Sequence, residues 1–482
     1  MSQKKKRPNI LLAIADDASH MGAYGYDFVN TPNFDWVAKE GILFENAFTG
    51  NPKCAPSRAS LLTGKHTWQL EEACNHWGIF PSKFDVYPNL LEESGYFIGF
   101  TGKGWAPGDW EKGGFDHNPA GYAFNNNYLT PPESSINNKD YAANFEDFLS
   151  QKPEGKPFCF WYGGHEPHRA YNEGQGKRAG KNIENVEVPA YLPDNEIVKN
   201  DLLDYAFAIE WFDQHLGRML EKLEEEGELE NTLVVVTSDN GMPFPRVKGQ
   251  MYEFDFRMPM ALCWPEKTTG GRKVKDLIDF IDLAPTFLDA AGLSVSSAMA
   301  GKSLMNIIEA EDSGYIDQTR DSVFLGRERH DLGRKNDLGY PVRCIRTSKY
   351  LYVRNFKPNR WPAGNPETGF TNCDSSPTKS LILNQYENGK DYYYDLCFGK
   401  RPEEELYNIV EDPECINNLA YRDYYQELKK ELWQKLKKKL KETDDPRIFG
   451  NGDVFEKYEY QAKKAPHSWK AYEEGWWEPQ TY

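Results

Sequence analysis

Four short, uninterrupted apolar runs set the limits on how this chain folds. Residues 8–15 (PNILLAIA), 97–101 (FIGFT), 157–162 (PFCFWY) and 232–237 (TLVVVT) lack the alternation of a strand with one face in water. Such runs suit strands buried on both faces, as in a parallel sheet covered by helices. Helical stretches lie between them, among them TPNFDWVAKEG and the amphipathic LLDYAFAIEWFDQHLGRMLEKLEEEG. Strands alternating with helices predict an α/β fold: a large mixed, mostly parallel sheet sandwiched by helices. In open α/β sheets a site forms beyond the carboxyl ends of the strands. Two of the four runs end in polar pairs, Asp16-Asp17 and Asp239-Asn240, which makes those ends the first place to look for chemistry.

At 482 residues the chain exceeds one core, and two domains are expected. The texture changes after about residue 330, giving a division into residues 1–335 and 336–482. In the second part VRCIRTSKYLYVRN reads as two short strands turning near Ser348, and DYYYDL as a third, so a smaller α+β unit with a short antiparallel sheet is predicted. Its last helix carries Tyr421, Tyr425, Leu428, Leu432, Leu436 and Leu440 at helical spacing, and the lysines between them read as a solvated face. A formal charge of −17 leaves no basic excess to neutralise phosphates and excludes nucleic acid as a partner. Any anionic substrate must therefore be held by a local basic pocket. The eight cysteines show no C-x-x-C pair and no zinc spacing; bridges, for instance among Cys344, Cys373, Cys397 and Cys415, stay open if the protein is exported. The start, MSQKKKRPNILLAIADD, has an apolar run shorter than the roughly 7–15 residues of a secretory leader, so it is read as strand one. No stretch is apolar long enough to span a bilayer.

Two constellations carry chemistry. Asp16, Asp17, Asp239 and Asn240 offer four oxygen ligands, and adjacent carboxylates repel unless a cation sits between them. Oxygen donors favour a hard ion, calcium or magnesium, over zinc. The second is CAPSRASLLTG, residues 54–64, with Cys54, Pro56, Ser57 and Arg58 in the order C-x-P-S-R. Taken alone, Cys54 could equally be an inert buried thiol before a helix.

Together RPNILLAIADDAS, CAPSRASLLTG, TGKGW, GGHEPHR, TSDNGMPFP, VKGQMYEFDFRMP and ELYNIVEDPECINNLA resemble, in order, segments of the type I, formylglycine-dependent sulfatase family of the alkaline-phosphatase-like superfamily. SDNGMPFP and GHEPHR look most like its heparan N-sulfatase branch and bacterial polysaccharide sulfatases. The resemblance implies that residues 1–335 are the catalytic domain and that the enzyme removes sulfate from sugars of a sulfated polysaccharide, as an ester or a sulfamate. It implies that Cys54 is oxidised to formylglycine by a maturing enzyme, and that Asp16, Asp17, Asp239, Asn240 and residue 54 hold calcium. Arg58 would steady the aldehyde hydrate, and Lys103 and Lys248 would hold sulfate oxygens. His165 would protonate the leaving atom, with His168 and Arg169 left for substrate, although His165 and His168 could exchange roles. Arg327, Arg329 and His330 in GRERH are candidates for a uronate or a second sulfate, extended by Arg354, Arg360 and Trp361. A periplasmic or secreted location is expected, its leader not among these residues.

One position departs from the family. Trp105 stands where the family's G-K-x-H segment has a histidine, and an indole cannot accept a proton. His66, His76 or a metal-bound Asp17 would then take that work. The competing readings are a phosphoesterase of the same superfamily and a silent glycan-binding relative.

Overall fold

The computed structural model describes residues 6–461 and 469–476; the basic start of the chain, residues 1–5, lies outside them. The four apolar runs are strands, and they lie side by side in one half of an eight-stranded sheet, the strand of residues 97–102 at its edge. Its strands are β1 (Asn9–Ala15), β2 (Ile42–Phe48), β3 (Phe97–Gly102), β4 (Phe158–Gly163), β5 (Thr232–Ser238), β6 (Arg257–Cys263), β7 (Arg272–Val274) and β8 (Ile278–Asp279). The order is β8-β2-β6-β5-β1-β4-β3, with β7 also paired to β2. β6 runs antiparallel to both neighbours and every other pairing is parallel.

The lack of alternation in the sequence has a direct cause. In β1, Leu11, Ala13 and Ala15 face one core and Ile10, Leu12 and Ile14 face the other, and in β5 Val234 and Val236 oppose Leu233 and Val235. On the first face lie α1 (Pro32–Glu40) and the amphipathic helix of residues 196–225, which contributes Leu202, Ile209, Phe212 and Leu216. On the second lies α2 (Cys54–Thr63) with Ala55, Ala59 and Leu62. The α/β sandwich expected from the sequence is the one observed.

A second, four-stranded antiparallel sheet is formed by β9 (Ser322–Arg327), β10 (Val342–Thr347), β11 (Tyr350–Asn355) and β12 (Glu404–Asn408), in that order. It starts upstream of residue 336, so the smaller sheet reaches back across the change in texture. DYYYDL is no strand: Tyr392–Cys397 is a helix, because Tyr394 and Cys397 are buried at a spacing of three while Tyr392 is exposed. One face of the small sheet packs Val323, Leu325, Val342 and Val353 on Phe48 of the large sheet and on Met251 and Phe256. The other is covered by the helix of residues 426–442 through Leu432, Leu436 and Leu440. All eight cysteines are buried thiols without a bridge. Among the described residues no helix is long and apolar enough to cross a membrane.

Candidate active site

Neighbouring parallel strands β5, β1, β4 and β3 end side by side, and each end leads into polar residues. Asp16 and Asp17 come after β1, Asp239 and Asn240 after β5, Lys103 after β3, and His165 two residues past β4. The turn after β3 is possible because Gly102 has φ +75°, and a Cβ there would lie 2.0 Å from the Gly163 carbonyl oxygen. That close approach lets the Lys103 amide donate to the same carbonyl at 2.7 Å and sets the direction of its side chain. Asp17 also lies in the left-handed region, at φ +79°, a strain typical of residues held for function.

Cys54 enters from the side as the first residue of α2, which is buried along its whole length and ends at Gly64 with φ +65°, closing the T-G of the motif. Its Sγ lies 3.2 Å from Asp16 Oδ1. Ligand atoms of Asp16, Asp17, Asp239 and Cys54 all fall within 4.8 Å of one another. Asn240 donates to Asp17 Oδ1 at 2.7 Å, while its own Oδ1 is buried without a partner. Three carboxylates and an unpaired amide oxygen in one dry site form the donor set a hard cation needs.

Cations of the chain hold this acid cluster. Arg58, one helical turn from Cys54, donates from Nε to Asp239 Oδ2 at 2.8 Å and from Nη1 to the Lys103 and Gly104 carbonyls; its Nη2 is buried and unpaired. Lys103 Nζ is 2.5 Å from Asp16 Oδ2, and Lys248 Nζ is 2.6 Å from Asp17 Oδ2. Burial would raise Asp16, but Lys103, with His168, Arg58 and Lys248, holds it well below the usual carboxylate range. Burial and the neighbouring Asp16 push Asp239 up to about 6. Burial and Asp16 also push the Cys54 thiol well above its ordinary value, so as a thiol it is not a nucleophile at neutral pH. Burial, then Lys103, brings His165 down to about 4, a neutral imidazole.

These groups floor a cleft of about 1050 Å³ lined by Asp16, Cys54, Lys103, His165, His168, Arg169 and Lys248. His168 Nε2 stands 3.9 Å from Asp17 Oδ2. Arg169 reaches the cleft but is spoken for: both Nη atoms bind Asp201, at 2.7 and 2.8 Å, and Nε donates to the Pro243 carbonyl.

The GRERH cluster corrects an expectation. Arg327, Arg329 and His330 are buried and do not line the cleft. Arg327 donates to the Pro362 carbonyl over the Tyr340 ring, Arg329 donates to the Tyr458 carbonyl, and His330 Nε2 meets Asn51 Oδ1 at 2.7 Å. The end of β9 and the residues after it pack against Gly50, Asn51 and Asn75, so their polar side chains turn into an internal network. Arg354 and Arg360 likewise pair with Glu403 and Glu456. Trp105 is buried, its indole donating to the Ala55 carbonyl at 3.0 Å. Of the histidines suggested in its place, His66 stacks on Trp68 away from the cleft. His76 lines the cleft, with Nδ1 2.8 Å from Asp331 Oδ1 and Nε2 unpaired.

Three further cleft residues carry no clear signal in the sequence. Lys53 is the nearest to having one, since it directly precedes Cys54; it pairs with Asp331 at 2.7 Å. Asp331 is the residue after GRERH. Asp374, 3.0 Å from Lys248 Nζ, lies in a loop with no local signature.

Comparison with known proteins agrees with this geometry. Residues 8–293 match the family model described as Sulfatase. The chain belongs to the sulfatase family. Residues 247–361 match a second model, N-sulphoglucosamine sulphohydrolase, C-terminal. The sulfatase is 28% identical to human N-sulphoglucosamine sulphohydrolase over 94% of each chain. It is 27% identical to an ulvan-active sulfatase of Formosa agariphila, over 89% of this chain and 74% of that one. A solved structure of a protein in complex with its substrate, D-glucosamine-2-N,6-O-disulfate, superposes with a TM-score of 0.67 at 22% identity, over 95% of this chain and 100% of the other. The enzyme is a sulfuric ester hydrolase, and its family implies a formylglycine and a metal ion, for which the buried Asp/Cys cluster is the place.

Proposed function

We propose that this sulfatase removes sulfate from sugars of a sulfated polysaccharide, using a formylglycine made from Cys54 and a calcium ion held by Asp16, Asp17, Asp239 and Asn240. The observation that carries the reading is the Cys54 sulfur, 3.2 Å from Asp16 at the head of a buried helix and inside a cluster of three carboxylates. When bound, the ion supplies Lewis acidity toward a sulfate oxygen, and the hydrated aldehyde supplies the attacking hydroxyl.

The chain's own residues do the rest. Arg58 has one unpaired buried Nη2 left to steady residue 54, four residues before it on the same helix face. Lys103 and Lys248 sit against Asp16 and Asp17, and with those carboxylates engaged as metal ligands both ammonium groups would be available to sulfate oxygens. Burial and Lys103 hold His165 neutral, and the negative charge of a bound sulfate ester draws onto it the proton it gives to the leaving atom. His168, with no carboxylate closer than 3.9 Å, is free to meet substrate. His76 is brought down to about 4 by burial, against the pull of Asp331, and with Nδ1 engaged its Nε2 is the accepting atom. The heparan-type and algal substrate classes, and dependence on a maturing enzyme, follow from the family resemblance of the sequence; the N-sulphoglucosamine and ulvan named for two relatives support the substrate classes. A periplasmic or secreted location fits a polysaccharide substrate.

Sulfate release tests this directly. Protein made with the maturing enzyme is given calcium and either heparan-type oligosaccharides or sulfated algal fragments, beside its Cys54→Ala variant. Release that disappears in the variant is expected. No release from any glycan, with formylglycine at residue 54 confirmed by peptide mass, overturns the reading.

A further inference from the structure

The ion pairs of the cleft continue beyond the acid cluster. Lys248 bridges two carboxylates, Asp17 at 2.6 Å and Asp374 at 3.0 Å, and Lys53 holds Asp331. Asp374 is the most exposed of these acids, with a quarter of its side chain open, and it lines the cleft beside Lys248. Its loop is built to present it. Lys379, itself buried, donates from Nζ to the Phe370 and Cys373 carbonyls at 3.2 and 2.8 Å. Ser376 caps the helix that begins at Pro377, and Thr378 donates to Asp201 at 2.6 Å. Burying a lysine on two neutral carbonyls is costly, and it fixes the backbone just ahead of Asp374.

We propose that Asp374 is a specificity-determining residue: it accepts a hydrogen bond from a hydroxyl or amino group beside the sulfated position and turns away a second anionic substituent there. The assignment rests on the sulfated-sugar reading above. A fixed carboxylate accepts hydrogen bonds and repels sulfate or carboxylate. Burial opposes its charge, but Lys248 and Lys53 hold Asp374 well below the usual carboxylate range, so it stays an anion. The ion-paired network joins five carboxylates to four cationic side chains. A divalent cation held by the acid cluster would bring this network to one net positive charge, which matches the charge of one sulfate monoester.

The test compares glucosamine 2-N-sulfate with the same sugar carrying an additional 3-O- or 6-O-sulfate, and monosulfated with disulfated oligosaccharides from ulvan. Sulfate release is measured for wild type, Asp374→Asn and Asp374→Ser. Binding to Cys54→Ala protein, with and without Asp374→Asn, is measured by calorimetry. Wild type is expected to favour the monosulfated member of a pair by at least ~10-fold in kcat/KM and in Kd. Both variants should lose ~10-fold on it, through KM, and bring the ratio near unity. An equal loss on both members, with the ratio unchanged, means that Asp374 only positions Lys248 and overturns the assignment. So does a wild type indifferent to the second sulfate. Neither binding nor release with any sugar, while an aryl sulfate is hydrolysed, refutes the sugar reading and takes this assignment with it.

Discussion

Arg58 is the residue whose removal tests the architecture of the site most sharply. Its guanidinium is fully buried and makes three hydrogen bonds, one to Asp239 and two to the carbonyls of Lys103 and Gly104. Arg58→Met keeps the aliphatic stem and deletes the charge. Breaking a buried pair on one side costs about 3–5 kcal/mol, because the abandoned carboxylate has no water to turn to. The Lys103 carbonyl keeps a donor in Trp161 Nε1 at 3.0 Å, so only the Gly104 carbonyl loses its partner, for roughly another 1 kcal/mol. The expected loss is about 4–6 kcal/mol, a large share of the roughly 5–15 kcal/mol that keeps a domain folded. Urea unfolding followed by tryptophan fluorescence, with chelator present so that no ion covers the defect, measures it. Arg58→Met/Asp239→Asn removes both charges and should recover about 2–3 kcal/mol of the single-variant loss. A loss under about 1 kcal/mol, or strictly additive single and double variants, would refute the claim that this pair is dry and tightly coupled.

Calcium should raise the unfolding free energy by about 2.7 kcal/mol at a hundred times its dissociation constant, and Asp17→Asn should erase most of that gain in thermal scans against chelator. Trp105→His should cost about 3 kcal/mol of stability and leave sulfate release no faster, since the indole faces α2 and not the cleft; faster turnover would show the opposite. Burial holds His66 near 3, against about 6.5 in an unfolded chain. Its contribution is therefore complete above pH ~6.5 and is lost as pH falls toward 3, because the unfolded state binds the extra proton. His66→Phe should flatten the pH dependence of unfolding free energy between pH 6 and 4.5 by about 1 kcal/mol per unit, and an unchanged slope would contradict the burial.

The large sheet was legible because its inner strands are buried on both faces, which leaves unbroken apolar runs such as LLAIA and LVVV that little else produces. Asp16, Asp17, Asp239 and Asn240 were legible for a related reason: each stands at the end of such a run, and parallel strands bring those ends together. The features that failed were decided by tertiary direction. DYYYDL has strand composition, but Phe370 and Phe398 pack on Tyr394 and make a helix of it. GRERH has the composition of an anion clamp, yet Glu328 inside it binds Arg343 and Arg447, and its charged side chains are turned inward and buried. No pattern of residue types states which way a short strand faces.

That difference separates the two halves of the cleft. The floor of the cleft comes from strand ends and one helix head, so its residues are fixed by secondary structure and stand in compact motifs. The opposing acids, Asp331 and Asp374, come from loops whose positions depend on long-range ties: Lys53 to Asp331 across 278 positions of chain, and Lys248 to Asp374 across 126. Loops can change without disturbing the sheet, which is how one scaffold serves many substrates. The reaction type should therefore survive substitution at either loop acid, while substrate choice should not. The converse holds for Lys248, which touches both sets: its loss should lower turnover on every substrate and at the same time loosen the choice among them.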